Sequence, residues 1–137
     1  MKTSLDPYIS FKDNAREAMQ FYKSVFGGTL ILYTFKDFNA SQDPSQDDKI
    51  MHSKLEAKNG IHFLAADTPL GMQYQPESHI SLTLSGDNQQ ELTAYFEKLS
   101  AGGTVNQPLA QVNWGDTFGM CVDQFGVTWM VNITASK

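Results

Sequence analysis

Three histidines, one cysteine and a Trp-Gly-Asp turn are the side chains of this 137-residue chain best suited by type to do chemistry. His52, His62 and His79 carry imidazoles, which near pH 7 can act as general bases or ligate a metal. His52 alternates with Lys54, Glu56 and Lys58, opposite Met51, Ser53, Leu55 and Ala57, so by pattern it shares a solvated strand face. Cys121 lies in an apolar, strand-like run and reads as a buried, inert thiol rather than a nucleophile. Trp114-Gly115-Asp116 admits two accounts. In one it is a turn, with Trp114 covering a cavity mouth and Asp116 satisfying backbone amides. In the other Trp114 is a stacking wall and Asp116 anchors a cationic or hydroxylated ligand.

Several chemistries are disfavoured. The chain has no glycine-rich phosphate loop, no nucleotide fingerprint, no G-x-S-x-G elbow and no plausible Cys–His pair. Its formal net charge of −5, with no dense Lys/Arg cluster, repels nucleic acid and anionic lipid. No apolar run follows Met1, so no signal peptide or membrane span is expected, and the chain reads as cytoplasmic. One cysteine makes no intramolecular disulfide. Hydrophobic and aromatic fractions of 41% and 12% suit one folded domain spanning residues 1–137.

The elements that must position these residues repeat. Tyr8-Ile9-Ser10-Phe11 returns as His79-Ile80-Ser81-Leu82, and the capping box Asn14-x-x-Glu17 as Asn88-x-x-Glu91. Gly27-Gly28 and Gly102-Gly103 end the two helices, while Asn59-Gly60 and Phe125-Gly126 occupy matching turns. Module one covers about 5–67, a connector 68–78, and module two about 79–135. Strands are expected over 7–11, 29–35, 50–58, 61–65, 79–84, 117–122 and 127–133, with a short one from Thr104 and a mobile polar loop over 36–49. The expected class is α+β: two β-α-β-β-β modules forming a curved mixed sheet, both helices on its convex face and a pocket at the seam.

With that order of elements, the chain resembles the vicinal-oxygen-chelate superfamily of glyoxalase I, extradiol dioxygenases and bleomycin-resistance proteins, and within it the PhnB-like branch. The segments that carry the resemblance include Phe21-Tyr22-Lys23-Ser24-Val25-Phe26-Gly27-Gly28, Met51-His52-Ser53-Lys54-Leu55 and Leu82-x-Leu84-Ser85-Gly86-Asp87. Trp114-Gly115-Asp116-x-Phe118-Gly119 and Phe125-Gly126-Val127-x-Trp129-Met130-Val131-Asn132 complete it. Some relatives carry a demethylubiquinone-methyltransferase-like label, but this sequence has no glycine-rich turn to hold a methyl donor.

The resemblance implies two metal-ligand positions per module, one at the start of its first strand and one four residues past its last turn. Here these are Tyr8 and Leu64, then His79 and Met130. Leucine donates nothing and methionine only weakly, so His79 alone survives and no metal or other cofactor is expected. Strand alternation places Tyr8, Ser10, His62 and Leu64 on the same face in module one. His79, Ser81, Thr83, Thr128, Met130 and Asn132 share the corresponding face in module two. With His52, Trp114, Asp116 and Phe118 they make a candidate small-molecule pocket.

A metal-free small-molecule-binding protein, homodimeric as is common in the superfamily, is the expected function. Two alternatives stand beside it. One is a metal-dependent lyase, isomerase or dioxygenase whose site is rebuilt from His79 and other histidines. The other is a drug-sequestering resistance protein.

Overall fold

Both halves of the sequence fold on one plan. In the computed structural model, which describes residues 5–72, 74, 80–113 and 115–135, the chain divides into the units Met1–Pro76 and Glu77–Lys137. The first unit runs β1 (Tyr8–Phe11), α1 (Ala15–Phe26), β2 (Thr29–Thr34), β3 (Ile50–Glu56) and β4 (His62–Asp67). The second runs β5 (Leu82–Gly86), α2 (Gln89–Ser100), β6 (Thr104–Gln111), β7 (Thr117–Val122) and β8 (Thr128–Ile133). Each unit has its own four-stranded mixed sheet, ordered β1-β4-β3-β2 and β5-β8-β7-β6. The first strand pairs in parallel with the last, and the other pairs are antiparallel. The α+β class and the β-α-β-β-β modules are as the sequence implies. No helix among the described residues is long and apolar enough to cross a membrane.

A helix crossover between parallel strands covers one sheet face, and the burial pattern records it. Ala15, Ala18, Met19, Tyr22, Val25 and Phe26 of α1 are buried, as are Phe11, Leu55, Phe63 and Ala65 of the sheet. Phe63 sits at the centre, with Tyr22 edge-on at 5.3 Å and Phe26 at 6.2 Å. In the second unit Leu92, Tyr95, Phe96 and Leu99 of α2 are buried, with Cys121, Trp129, Val131 and Ile133 of the sheet. Glycine is required where each chain leaves its helix. A Cβ on Gly28 would strike the Glu56 carbonyl, and one on Gly103 the Val122 carbonyl.

The helix starts differ from the sequence expectation. Asn88 does cap α2, its Oδ1 accepting from the Glu91 amide at 3.0 Å. Asn14 makes no side-chain cap, so the Asn14–Glu17 box is not formed. Parallel pairing sets Asp67 beside Phe11, and this buried carboxylate takes the helix amide instead. Asp67 accepts from Ala15 N–H at 2.9 Å and from Ile50 N–H at 2.8 Å, tying β4 to the starts of α1 and β3. A tertiary partner with full charge outcompetes a local neutral one.

Several element boundaries also shift. Asn59 and Gly60 both have positive φ, the geometry of the expected tight turn, and Ile61 N–H closes it on the Lys58 carbonyl at 3.2 Å. β4 starts at His62, one residue late. The 36–49 stretch contains two single turns of 3-10 helix, Lys36–Phe38 and Pro44–Gln46. β5 begins at Leu82 rather than residue 79, and β6 is eight residues long rather than short.

Replacing Asp67 by Ala strands two amide donors and is expected to cost about 2–4 kcal/mol in urea unfolding. Asn14→Ala is expected to cost less than about 0.5 kcal/mol, against about 1 kcal/mol for Asn88→Ala.

Candidate functional site

Period-two alternation turns half of each strand's side chains away from the helix. In the first unit the sheet register places Tyr8 beside Leu64, Leu64 beside Lys54, and Lys54 beside Ile31. The next rung joins His62 to Glu56, and at the far end His52 is the partner of Tyr33. Tyr8, Ser10, Ile31, Tyr33, His52, Lys54, His62 and Leu64 thus share the face opposite α1. Its charges are paired: Lys54 Nζ lies 3.3 Å from Glu56 Oε1, and His62 Nε2 lies 2.9 Å from Asp6 Oδ1. Partial burial raises the Tyr8 phenol above its ordinary pKa, so it stays neutral as a hydrogen-bonding group.

At the edge of this face the rings form a ledge. Tyr33 and His52 stack at 6.5 Å with planes 19° apart, and Phe38 lies 5.3 Å from Tyr33. Phe38 is held there by a reciprocal pair of bonds. Thr34 N–H donates to Asp37 Oδ2 at 2.8 Å, and Asp37 N–H donates to Thr34 Oγ1 at 3.1 Å. Hydrogen bonds from the Thr34 amide first, then its hydroxyl, hold the Asp37 carboxyl below its usual range. Tyr33 and Phe38 are 42% and 49% exposed, a large apolar area for a pair that touches.

In the second unit Thr83 partners Met130, Met130 partners Met120, and Asn132 lies between Ser85 and Phe118. Asn132 Nδ2 donates to Asp116 Oδ2 at 3.0 Å, and Ala135 N–H donates to Asp116 Oδ1 at 3.1 Å. The Asp116 carboxylate thus ties its loop to the end of β8 and the backbone beyond it. Ser81 precedes β5 and is exposed. His79 and Trp114 lie outside the described residues.

Register also corrects the repeat. Leu64 and Met130 are each the fourth residue past their turn glycine, and their parallel partners are Tyr8 and Thr83. By register the counterpart of Tyr8 is thus Thr83, whereas the sequence motif paired it with His79, outside the described residues; of that motif only Leu82 falls in β5. The positions implied for metal ligands become Tyr8, Leu64, Thr83 and Met130: a phenol, an alkyl group, a hydroxyl and a thioether. His52 and His62 stand apart on this face. His62 faces Glu56, and His52 lies four residues along β3 from it, about 13 Å away. Among the described residues no three His, Cys, Asp or Glu side chains gather as metal ligands do.

Sequence reasoning missed the ledge. Leu30-Ile31-Leu32-Tyr33 is apolar on both faces, so alternation carried no polarity signal, and Phe38 sat in a stretch read as loop. Cys121 meets its expectation: it is fully buried, and desolvation first, then the Asp123 charge, push its thiol up to about 11. Native protein at pH 8 should react with an aromatic disulfide reagent at least about 100-fold more slowly than urea-unfolded protein, followed by thiolate absorbance.

Comparison with known proteins fits this geometry. Residues 3–132 match the family described as 3-demethylubiquinone-9 3-methyltransferase. Protein PA1353 of Pseudomonas aeruginosa is 34% identical, covering 98% of this chain and 100% of its own, with a TM-score of 0.85. The PhnB protein of Bacillus cereus shares the fold at 23% identity and a TM-score of 0.72, over 96% of this chain and 100% of that one. A glyoxylase/bleomycin resistance/dioxygenase domain from Frankia sp. EAN1pec does so at 10% identity and a TM-score of 0.66, over 97% and 98%. The chain belongs to that 3-demethylubiquinone-9 3-methyltransferase family and has the glyoxalase-like fold.

Proposed function

We propose that this protein binds a small, flat, ring-bearing organic molecule on the face of the first sheet opposite α1, without a metal at the superfamily positions. The observation that carries this reading is the Tyr33–Phe38–His52 ledge, in which Tyr33 lies against both other rings and Tyr33 and Phe38 are close to half exposed, at one end of a face whose charges are paired. Rings so placed gain by stacking on another ring. Tyr8, Lys54 and the His52 imidazole supply hydrogen bonds that orient a polar substituent. The donors at Tyr8, Leu64, Thr83 and Met130 suit neither a hard nor a borderline divalent ion. The homodimer carries over from the resemblance as part of the same proposal, with cytoplasmic residence.

Protein soaked in Ni, Zn, Mn or Fe salts and dialysed should retain far less than one metal per chain by elemental analysis. Stoichiometric retention of any of them would favour the metal-dependent alternative. In a thermal-shift screen of flat aromatic compounds, a binder at about 100 times its Kd should add about 2.7 kcal/mol, a rise of several degrees. Tyr33→Ala with Phe38→Ala should abolish that shift while changing unliganded stability by about 1 kcal/mol or less. A shift that survives both substitutions places the ligand elsewhere. Light scattering should give twice the 15.3 kDa chain mass.

A further inference from the structure

His62 sits between two oxygens that can only accept. Its Nδ1 lies 2.8 Å from the Gly60 carbonyl and its Nε2 lies 2.9 Å from the Asp6 carboxylate. A neutral imidazole has one N–H and satisfies one of these; only the imidazolium donates to both. Asp6 immediately precedes Pro7, whose carbonyl accepts the Leu64 amide at 2.8 Å and starts the β1–β4 pairing. Two residues on is Tyr8, the partner of Leu64.

We propose that His62 and Asp6 form a proton-dependent clasp: protonated, His62 holds the segment before β1 against β4, and on losing its proton it releases that segment. The charged groups around it permit this. Asp6 faces the ring from the N-terminal segment, while β3 presents Glu56 as its rung partner and Lys54, which pair with each other. From β1 the nearby titratable group is the neutral Tyr8 phenol. The Gly60 carbonyl first, then Asp6, raise the His62 pKa above 6.5, against partial burial and the Lys54 charge.

The sign follows. A group whose native pKa is raised contributes its full stabilisation below the unfolded value near 6.5 and loses it as pH rises through the higher native value. The clasp is therefore closed in mild acid and open in mild base. Because both oxygens stand on solvent-facing groups, its effect is local to the start of β1 rather than global. Where the binding reading above holds, the same proton governs how firmly Tyr8 is set in that face; the clasp itself is tested with no ligand present.

The test is nuclear magnetic resonance on the full chain. The His62 ring nitrogens should both report protonation below a midpoint above the ordinary histidine value, and Asp6→Asn should lower that midpoint. Amide exchange, corrected for its intrinsic pH dependence, should show Leu64 losing protection several-fold as His62 deprotonates. The Ile50 amide, held by Asp67, should not change in parallel. His62→Gln should leave Leu64 protection flat with pH. An unmoved midpoint in Asp6→Asn, or a constant ratio of Leu64 to Ile50 protection across the titration, would overturn the clasp.

Discussion

Parallel pairing of the first strand of each module with its last is the constraint on which the candidate site depends. A parallel pair needs a crossover, here the single helix of each unit, and the crossover covers one face of the sheet. Every side chain on the uncovered face is then set by register, and a slip of one residue would exchange the two faces completely. In the first unit the register is pinned at both ends. Leu64 N–H bonds the Pro7 carbonyl at one end, and Thr68 N–H bonds the Phe11 carbonyl at the other, at 2.8 and 2.7 Å. Asp67 then ties the strand to the helix that follows.

The two modules solve the same anchoring problem with different carboxylates, which is where their divergence is physical rather than cosmetic. Asp67 lies at the end of β4, and by register its counterpart at the end of β8 is Ile133. The second unit instead buries Asp123 in the last turn. Its Oδ1 accepts from Phe125 and Val127 at 2.8 and 3.1 Å, and its Oδ2 from the Trp129 indole at 2.8 Å. The corresponding place in the first unit, one residue past the end of β3, is Ala57, beside a turn shaped by Asn59 and Gly60. One carboxylate holds a helix start, the other a hairpin and a core tryptophan. The first unit has a backbone-shaped turn and a borrowed helix cap; the second has the reverse.

What was legible in the sequence follows the range of the forces involved. The helices, the Asn59-Gly60 turn and the buried strands were readable because periodicity and turn chemistry are local. Asp67 replacing Asn14 was not, because its partners lie 52 and 17 residues away in sequence. The pairing of Tyr8 with His79 failed for a related reason. Four similar residues span 79–82, but register is fixed by hydrogen bonds to β8, and that pairing begins only at the last of them, Leu82. The ledge was invisible because Ile31 and Tyr33 are as apolar as the residues turned toward the helix. Only the ladder distinguishes the two faces.

Charge explains what kind of ligand such a face can hold. A divalent cation needs uncompensated anionic or strongly donating groups turned toward it. On the first sheet the available charges are spent on each other, Lys54 on Glu56 and His62 on Asp6. The register positions that would carry carboxylates hold Leu64 and Met130. On the second sheet the Asp116 carboxylate is engaged by the Asn132 amide and the Ala135 backbone. What the proposed binding reading then leaves to recognise a partner is shape, ring faces and the hydrogen bonds of Tyr8, His52 and Lys54. On the proposed reading these forces favour a flat organic molecule over a metal ion, which would have to leave water for few donors.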